Sequence, residues 1–444
     1  MMSEFMKNLC KIAVPVALQS MLQASFSIID QLMIGQLGET SISAVGLCGN
    51  YSLIFTVLTG AVSTVAGILI AQFIGAREEK EAWCSLTVSV TTALMISFVF
   101  LAASGIWPAQ ILSLYTSDEG ILEAGTAYFR ILAFSYVPMG LSSVLSAWLR
   151  AKNHAVIPFL ASLGGVVINT VLNYVLIFGK CGFSALGIRG AAAATLISQG
   201  AGCALIFIGF SFCLHKDQEK PVPAFRFTKI TARDYGKMIL PLLISEFLWS
   251  LGQNVESAVY GRLGTDSLAA YTLTCPVQGL MIGALSGLSA AAGVMIGKRL
   301  GEKEYELAYL ESKKIMAAGL AGAVLTSILL TLLAGRYTQL YRVEENVRVT
   351  GKMLLTVFAL YTPVKVENMI LGGGIMKSGG DTRTIMLIDT IGTWCIGIPL
   401  CLLAAGTFHW EITAVYALLT TEEIFRLVIT LIIFRKRQWM ISLS

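Results

Sequence analysis

Twelve long stretches of the sequence are almost free of charged residues, and this feature limits the chain to one class of fold. They run at approximately 12–34, 45–72, 84–107, 127–149, 156–178, 187–213, 237–259, 268–297, 314–335, 352–376, 384–405 and 412–434. An apolar stretch of about 18 residues or more is long enough to cross a bilayer as a helix. Only 13% of the residues are charged, whereas soluble proteins carry about 25%. We therefore predict an all-α integral membrane protein with twelve transmembrane helices.

The basic residues lie mainly on one side of these helices. Loops on that side carry 22 Lys and Arg residues, and loops on the other side carry seven. Because basic loops are retained in the cytoplasm, we predict a multi-pass plasma-membrane protein with both termini cytoplasmic. The same rule accounts for the basic loops, so nucleic-acid binding is not indicated. Twelve helices can bury their own polar groups, and we predict a monomer.

The second half of the sequence repeats the first half at an offset of 226 residues. The aligned positions include proline, acidic and glycine residues: Pro15 with Pro241, Asp30 with Glu256, Gly67 with Gly293, and Gly75 with Gly301. Each half holds six predicted helices, an even number, so both copies begin on the same side of the membrane. The repeat is therefore predicted to be parallel, with a pseudo-two-fold axis along the membrane normal.

This repeat predicts two six-helix lobes and a connection between them. The N-terminal lobe is placed at 1–213, a cytoplasmic inter-lobe loop at 214–236, and the C-terminal lobe at 237–444. Two-lobed secondary transporters bind substrate between the lobes and expose it to either side by rocking. No GxxxxGK[ST] phosphate-binding loop occurs. We therefore predict no cofactor and no ATP-driven transport within this chain, so the energy comes from a gradient of H⁺ or Na⁺, from a partner, or from no source at all.

Asp30 is an acid within the first predicted helix. An Asp at the bilayer centre costs about 2.5–3.5 kcal/mol on insertion scales, so such residues usually have a function. Burial favours the neutral form of a carboxyl group, whereas a nearby Na⁺ favours the charged form. A carboxylate that alternates between free and ion-bound forms is able to couple transport to a gradient. The alternative interpretation is a structural acid near the outer interface that bridges helices.

The fifth and sixth predicted helices supply candidate partners for Asp30. Asn169 and Asn173 are four residues apart and share one helix face. Their carbonyl oxygens suit Na⁺ and their amides suit Asp30, although paired Asn residues also hold membrane helices together. Thr195 follows a run of alanines, and its hydroxyl either joins this site or serves close packing. The predicted cation-coupling site comprises Asp30, Asn169, Asn173 and Thr195. Na⁺ at this site is the one metal ion that the sequence suggests.

Three acids in the C-terminal half are further candidates: Glu246, Glu256 and Glu367. Glu256 is the repeat partner of Asp30. Each of the three either binds an ion or substrate, or forms hydrogen bonds between helices. Trp249 shares a helix with Glu246 and Glu256, and an indole face attracts cations. We therefore name Trp249 as a candidate contact in a substrate cavity.

Several motifs together resemble the multidrug and toxic compound extrusion (MATE) family. In family order they are the Pro15–Gln19–Asp30–Gly35 series, "AQFIGAREE", "NTVLNYVLIFG", "GIRGAAAATLISQ" and "GGGIMKSGGDTR". The resemblance implies an antiporter that exports cationic or amphipathic small molecules in exchange for H⁺ or Na⁺. It also implies that Asp30, Asn169 and Thr195 belong to a cation site in the N-terminal lobe. Gln19 joins Trp249 as a candidate for the substrate cavity.

The sequence departs from the family pattern at two places. Asn173 stands where many members have Asp, which leaves Asp30 as the main acid of the N-terminal lobe and favours H⁺ over Na⁺. The C-terminal acids of NorM-like members would align near Trp249 and Val366 rather than with the three acids named above. The chain therefore resembles the DinF-like or MepA-like branches more than the NorM-like branch.

Two other functions are compatible with a membrane protein of this size, and the sequence favours neither. A flippase for a lipid-linked saccharide would need several basic side chains for the phosphates, and Lys365 alone lies deep in a predicted helix. A membrane-embedded enzyme would need a cluster of acid, base or metal ligands, and the sequence has no HExxH, GxSxG or Asp-rich prenyl-binding motif. Arg426 is predicted to form a structural ion pair with a neighbouring Glu. We therefore expect a transporter and not an enzyme.

Overall fold

The computed structural model describes residues 4–216, 218, 232–341 and 343–443, apart from the side chains of residues 26–28, 32 and 232. Most of the inter-lobe loop predicted at 214–236 lies outside the described residues, so the division of the chain there stays a prediction. All regular secondary structure in the described ranges is helical. Because the sequence is so apolar, helices are the elements that satisfy their own backbone hydrogen bonds within lipid.

Twelve long helices make up the described structure, six in each half of the chain. Those of the first half are α1 (Glu4–Gly35), α2 (Glu39–Gly75), α3 (Glu79–Ile106), α4 (Glu119–Ala151), α5 (Val156–Phe178) and α6 (Ile188–Lys216). Those of the second half are α7 (Ala232–Arg262), α8 (Thr265–Gly301), α9 (Tyr305–Gln339), α10 (Glu345–Met376), α11 (Thr382–Thr407) and α12 (Ile412–Lys436). A short helix, Pro108–Ser113, lies between α3 and α4.

Eleven of these helices are long and apolar enough to cross a membrane. The remaining helix, α12, has 25 residues but carries Glu422, Glu423 and Arg426 near its middle. Three charged residues lie within about one and a half turns of α12, and their partners are described below. The predicted all-α membrane fold is confirmed, and each predicted apolar stretch coincides with one helix.

Three helices depart from regular α-helical geometry. A 3₁₀ turn interrupts α4 at Ala133–Ser135. The end of α10 is π-helical over Met369–Met376, and α11 contains π-helical stretches at Ile391–Gly397 and Leu403–Thr407. Such wide turns are rare and are frequently found at functional sites. Among the described helices they are confined to α10 and α11.

The chain separates into two compact units. The N-terminal unit comprises Leu18–Ile70 and Glu78–Lys229. Its core is rich in aromatic side chains: the ring centroids of Phe55 and Tyr136 are 4.6 Å apart, and the Tyr136 hydroxyl lies 2.9 Å from Ser52 Oγ. This hydrogen bond satisfies a phenol that is otherwise fully buried.

The C-terminal unit comprises Met1–Ala17, Ala71–Arg77 and Ile230–Ser444. Its core includes Tyr260 and Phe358, which are almost completely buried. The first part of α1 and the last part of α2 therefore belong to the same compact unit as the six helices of the second half.

Two glycines of the C-terminal unit allow backbones to approach closely. A Cβ on Gly75 would clash with the backbone of Lys298, and a Cβ on Gly301 would clash with the backbone of Gln72. The 226-residue offset aligns Gly75 with Gly301 and Gln72 with Lys298. The end of α2 and the end of α8 therefore contact each other through equivalent residues, as a pseudo-two-fold relation requires.

The side chain of Gln72 binds a segment from the far end of the sequence. Its Nε2 donates to the carbonyl oxygens of Ser378 at 2.6 Å and Ile441 at 3.3 Å, and its Oε1 accepts from the backbone N–H of Leu443 at 2.7 Å. Gln72 and Trp439 are both fully buried. All of these residues lie in the C-terminal unit, so they fix the end of α2 within it.

Candidate functional site

Asp30 and Asn173 form the centre of a polar network in the N-terminal unit. Asn173 Nδ2 donates a hydrogen bond to Asp30 Oδ1 over 2.7 Å. Asn173 is fully buried and Asp30 is partly buried. The acid on α1 therefore has a direct partner on α5, and the two helices are joined by a hydrogen bond to a carboxylate.

The network continues from α5 to α6 through Asn169. Asn173 Nδ2 also lies 2.7 Å from Asn169 Oδ1. Asn169 Nδ2 in turn donates to Ser198 Oγ at 3.1 Å and to Thr195 Oγ1 at 3.4 Å. The structure thus brings all four predicted coupling residues together and adds Ser198. We call these five residues the Asp30 network.

Small residues on α6 allow the network to form. A Cβ on Gly190 would lie 2.6 Å from the carbonyl oxygen of Leu176 on α5. Ala191, Ala192 and Ala194 are buried on the same helix. Because these side chains are short, α6 packs closely enough for its hydroxyl groups to reach Asn169. The short side chains of α6 therefore allow its close contact with α5.

The Asp30 network contains oxygen ligands and amide donors but no basic side chain. Asn173 Nδ2 donates both of its hydrogen bonds within the network. The side-chain oxygen of the same residue, Asn173 Oδ1, is buried and has no hydrogen-bond partner among the described residues. An unsatisfied buried acceptor costs free energy. The arrangement suits a proton or a hard cation, both of which bind to oxygen.

Gln19 is not part of this network. Its Nε2 donates to Ser162 Oγ on α5 over 2.8 Å. Gln19 precedes Asp30 by about three helical turns on α1. In the structure it therefore connects α1 with α5 at a separate level, and its predicted substrate contact stays a prediction.

The three candidate acids of the second half have separate surroundings. Glu256 is 6% exposed and accepts a hydrogen bond from Gln253 at 3.3 Å. Glu367 is 7% exposed, and its Oε1 has no hydrogen-bond partner in the described part of the chain. Glu246 lies about three turns before Glu256 on α7 and lines a cavity together with Trp249. The structure does not gather these acids into one ion site.

Charged residues of α10 and α12 pair with each other in the C-terminal unit. Lys365 Nζ lies 3.5 Å from Glu423 Oε1, and Asn368 Nδ2 donates to Glu423 Oε2 at 2.8 Å. Arg426 Nη2 donates to Glu422 Oε1 at 3.0 Å. The predicted ion pair of Arg426 with a neighbouring Glu is confirmed. Pairing also explains how α12 accommodates its charges among buried residues.

Arg426 also connects α12 with α11, and Asp389 connects α11 with α7. Its guanidinium hydrogen-bonds the hydroxyl of Thr393 and lies 3.9 Å from Asp389 Oδ1. Ser245 Oγ on α7 donates to Asp389 Oδ2 over 3.2 Å. These three helices correspond to α1, α5 and α6 in the repeat. Each half therefore has a polar network across equivalent helices, but the second half contains a fixed cation.

The family profile of MatE matches the sequence twice, at residues 15–175 and at residues 241–403. Together the matched segments take in well over half of the chain. This chain belongs to the MatE family. The second match starts at the offset found for the internal repeat, so each half of the chain is similar to the MatE profile.

Curated relatives of this MatE chain are similar along most of their length. The uncharacterized transporter YisQ of Bacillus subtilis (strain 168) is 24% identical over 413 residues, which cover 92% of this chain and 90% of that protein. The probable multidrug resistance protein NorM of Thermotoga maritima is 24% identical over 447 residues, which cover 98% and 93%. These names describe transport rather than enzymatic catalysis.

Solved structures of MATE transporters share the fold. The Vibrio cholerae MATE transporter VcmN in its bent form has a TM-score of 0.86 at 18% identity, over 98% of this chain and 97% of that one. An outward-facing multidrug resistance MATE transporter of the MOP superfamily has a TM-score of 0.83 at 18% identity, over 98% and 96%. The protein is thus a multi-pass membrane protein with a MATE fold.

The MatE profile contains most members of the Asp30 network. Asp30, Asn169 and Asn173 lie within its first matched segment, whereas Thr195 lies beyond that segment. Ser198 was not among the residues predicted from the sequence. Its spacing of three residues from Thr195 places both hydroxyls on one face of α6, and this spacing is the signal that would have found it.

Proposed function

We propose that this MatE-family protein is an H⁺- or Na⁺-coupled antiporter that exports cationic or amphipathic small molecules. The observation that supports the proposal is the Asp30 network: a carboxylate within a membrane helix, hydrogen-bonded to Asn173 and without a basic partner in the network. An acid within a membrane helix is costly to insert, so such residues usually have a function. Asp30 is proposed as the coupling residue.

Ion binding is proposed to act through the contact between α1 and α5. A proton on Asp30, or a Na⁺ ion shared with Asn173 Oδ1, would satisfy the buried acceptor that has no partner among the described residues. Either species changes the hydrogen bond between Asp30 and Asn173. The coupling ion then shifts the equilibrium between two conformations because it binds one of them more tightly.

The membrane orientation, the substrate class and the branch of the family belong to the same proposal. The distribution of basic residues supports cytoplasmic termini. The relatives named for multidrug resistance support small drug-like substrates. The separate surroundings of Glu246, Glu256 and Glu367 support a DinF-like or MepA-like protein, although relatives named NorM are similar as well. We propose a monomer that rocks to alternate access.

The decisive experiment replaces Asp30 by Asn and measures export from proteoliposomes. Asp30→Asn keeps the size of the side chain but removes the carboxylate, and with it the negative charge that attracts a cation. We expect gradient-driven efflux of a dye to fall to the level of protein-free vesicles, while the melting temperature of the purified protein changes little. Unchanged efflux by this variant would contradict the proposal.

Two controls complete the experiment. Asp266→Asn makes the same chemical change at an exposed position in the first turn of α8, and it is expected to transport normally. Efflux measured with a pH gradient in Na⁺-free buffer, and then with a Na⁺ gradient at equal pH, identifies the coupling ion. If the protein exports the dye under neither the pH gradient nor the Na⁺ gradient, coupling to H⁺ and to Na⁺ is ruled out.

A further inference from the structure

A short segment follows α12 and is held by buried side chains. Residues 440–443 have no regular secondary structure. Even so, Trp439 is fully buried, and the backbone groups of Ile441 and Leu443 form hydrogen bonds with Gln72. Irregular segments are usually the more mobile parts of a fold, so contacts that fix such a segment call for an explanation. We call residues 438–443 the post-α12 segment.

Aromatic stacking anchors the first part of this segment to the C-terminal unit. The Trp439 ring stacks on Phe434 of α12 with the ring centroids 5.5 Å apart, and its Nε1 donates to the Phe434 carbonyl oxygen at 3.2 Å. Phe434 stacks in turn on Tyr309 of α9 at 4.9 Å. Arg437, which follows α12, lies over the Tyr309 ring at 4.2 Å and pairs with Glu306. These contacts attach the segment to α9 and α12 independently of Gln72.

The turn between α10 and α11 provides the surface on which the segment lies. A Cβ on Gly379 would clash with the carbonyl oxygen of Trp439. Gly380 has a φ of +81°, in the left-handed region that favours glycine, and a Cβ there would lie 3.3 Å from Leu443 Cδ1. Because these two positions carry no side chain, the backbone of the segment lies directly against the turn.

The far part of the segment holds the end of α2. This helix belongs to the N-terminal unit as far as Ile70 and to the C-terminal unit from Ala71 onward. Gln72 lies at this division, and it forms one hydrogen bond with Ser378 and two with the post-α12 segment. The segment is therefore anchored on the C-terminal unit and bound to a helix that is shared by both units.

The end of α2 has to change its contacts if the two units move. The chain enters the C-terminal unit over Ala71–Arg77 and returns to the N-terminal unit at Glu78. Rocking therefore either bends α2 at this division or withdraws its end from the C-terminal unit. Gln72 suits withdrawal, because water replaces each of its hydrogen bonds at a small net cost. An apolar side chain at this buried position would lose its packing and gain nothing from water.

We propose that the post-α12 segment is a latch that holds the end of α2 through Gln72 in one conformation of the transport cycle and releases it in the other. Trp439 keeps the segment attached to the C-terminal unit in both conformations. The inference rests on the rocking movement of the proposed function. A permanent structural contact differs from a latch in one testable respect, because transport continues when a permanent contact is made covalent.

The main experiment makes the contact covalent. Gln72→Cys and Leu443→Cys are combined, and the two thiols are joined by a short bifunctional methanethiosulfonate reagent that dithiothreitol removes. The readout is the passage of a dye down its own gradient in proteoliposomes without an ion gradient, because this passage needs rocking but no driving ion. We expect the cross-link to stop the passage and dithiothreitol to restore it. Equal passage with and without the cross-link would overturn the inference.

Matched variants show whether the position of the cross-link matters. Gln72→Cys alone and Leu443→Cys alone, treated with the same reagent, should pass the dye normally. Asp266→Cys combined with Asn346→Cys gives a cross-link between α8 and α10, where Asn346 Nδ2 lies 3.5 Å from Asp266 Oδ2. Both positions belong to the C-terminal unit, so dye passage should continue. An equal block by this control cross-link would overturn the inference.

The readout separates the latch from the proposed antiport. If the cross-link stops the downhill passage of dye but neither an H⁺ gradient nor a Na⁺ gradient drives export, the proposed antiport is contradicted and the latch is supported. If ion-driven export continues in the cross-linked protein, the latch is overturned and the proposed antiport remains.

A second measurement needs no cross-link. Leu443→Cys keeps the backbone N–H that donates to Gln72, and its thiol reports whether the segment is bound. Adding Gln72→Ala should make alkylation of this thiol by a maleimide about tenfold faster, because the bound state loses hydrogen bonds. Gln278→Ala removes hydrogen bonds with Thr274 and Tyr416 instead, and it should leave the rate unchanged. An unchanged rate in the Gln72→Ala variant would overturn the inference.

Discussion

At position 173 an amide rather than a carboxylate lies beside Asp30, and this choice sets the charge of the network. The hydrogen bond of 2.7 Å from Asn173 Nδ2 stabilises one negative charge without adding a second. Two carboxylates at this separation would repel each other unless a proton or cation lay between them. The identity of residue 173 is therefore expected to control which ion the network binds.

We expect Asn173→Asp to make the protein respond to Na⁺. The variant places two acids at hydrogen-bond distance with no basic residue in the network, so Na⁺ binding to the folded protein should become favourable. Binding at a concentration about ten times the Kd would stabilise the protein by about 1.4 kcal/mol. The measurement is the melting temperature in detergent at equal concentrations of NaCl and of KCl.

A matched substitution tests whether any new pair of acids gives this effect. Asn346→Asp places an acid beside Asp266 at an exposed position, where Asn346 Nδ2 now lies 3.5 Å from Asp266 Oδ2. Water and salt screen charges at such a position, so no Na⁺ response is expected. An identical response of Asn173→Asp to K⁺ and Na⁺ would show that the site does not select between them.

The sequence predicted the centre of the Asp30 network but not its edge. Asn169 and Asn173 were found because their spacing places them on one helix face, and Asp30 was found because acids are rare in apolar helices. In the C-terminal unit, the contact between Ser245 and Asp389 was not predicted either, and it joins residues 144 positions apart. Local spacing carries no information about such a contact, because it depends on how α7 packs against α11.

The packing of α5 against α6 depends on glycine and alanine residues near the start of α6. A Cβ on Gly190 would lie 2.6 Å from a backbone carbonyl oxygen of α5, which cannot rotate away as a side chain can. We expect Gly190→Ala to destabilise the protein by about 1–3 kcal/mol through overpacking. Thermal unfolding in detergent should show a melting temperature that is lower by several degrees.

Another glycine on the same helix serves as the control. A Cβ on Gly200 would meet no atom within 4 Å. Gly200→Ala should leave the protein equally or slightly more stable, because Ala is favoured over Gly in a helix by about 0.5–1 kcal/mol. Equal melting temperatures for both variants would show that the contact at Gly190 is not close in solution.

Helix ends and wide turns were less predictable than the helices themselves. The fourth apolar stretch was predicted at 127–149, but α4 begins at Glu119. A search for apolar residues finds the part of a helix that lies in lipid, whereas charged turns continue the helix into water. The π-helical stretches of α10 and α11 were not predicted, because they depend on contacts with neighbouring helices and not on a local pattern.

At the scale of the whole molecule, the positive charges predict which side each loop occupies. Cys181 is exposed between α5 and α6, on the side predicted to face outward. We expect a membrane-impermeant maleimide to label Cys181 in right-side-out vesicles, because its thiol is exposed to water on that side. Labelling should disappear in Cys181→Ser, since the thiols buried in the protein or in lipid are not accessible to the reagent.

The opposite side is tested with a cysteine introduced at the exposed residue Lys80, near the start of α3. In the Cys181→Ser background, Lys80→Cys should be labelled in inside-out vesicles and protected in right-side-out vesicles. The reverse pattern would mean that both termini face outward, and the proposed direction of transport would then need to be reversed.

The link between Gln72 and Leu443 spans 371 positions of sequence, and this distance has a consequence for biogenesis. A ribosome adds about 5–20 residues per second, so the end of α2 emerges roughly 20–75 s before residue 443 does. Throughout that interval the amide of Gln72 has to use water or lipid headgroups in place of the backbone groups it finally binds, because an unpaired buried amide is costly. The contacts that bury Gln72 in the nascent protein therefore form only after the last membrane helix has been synthesised.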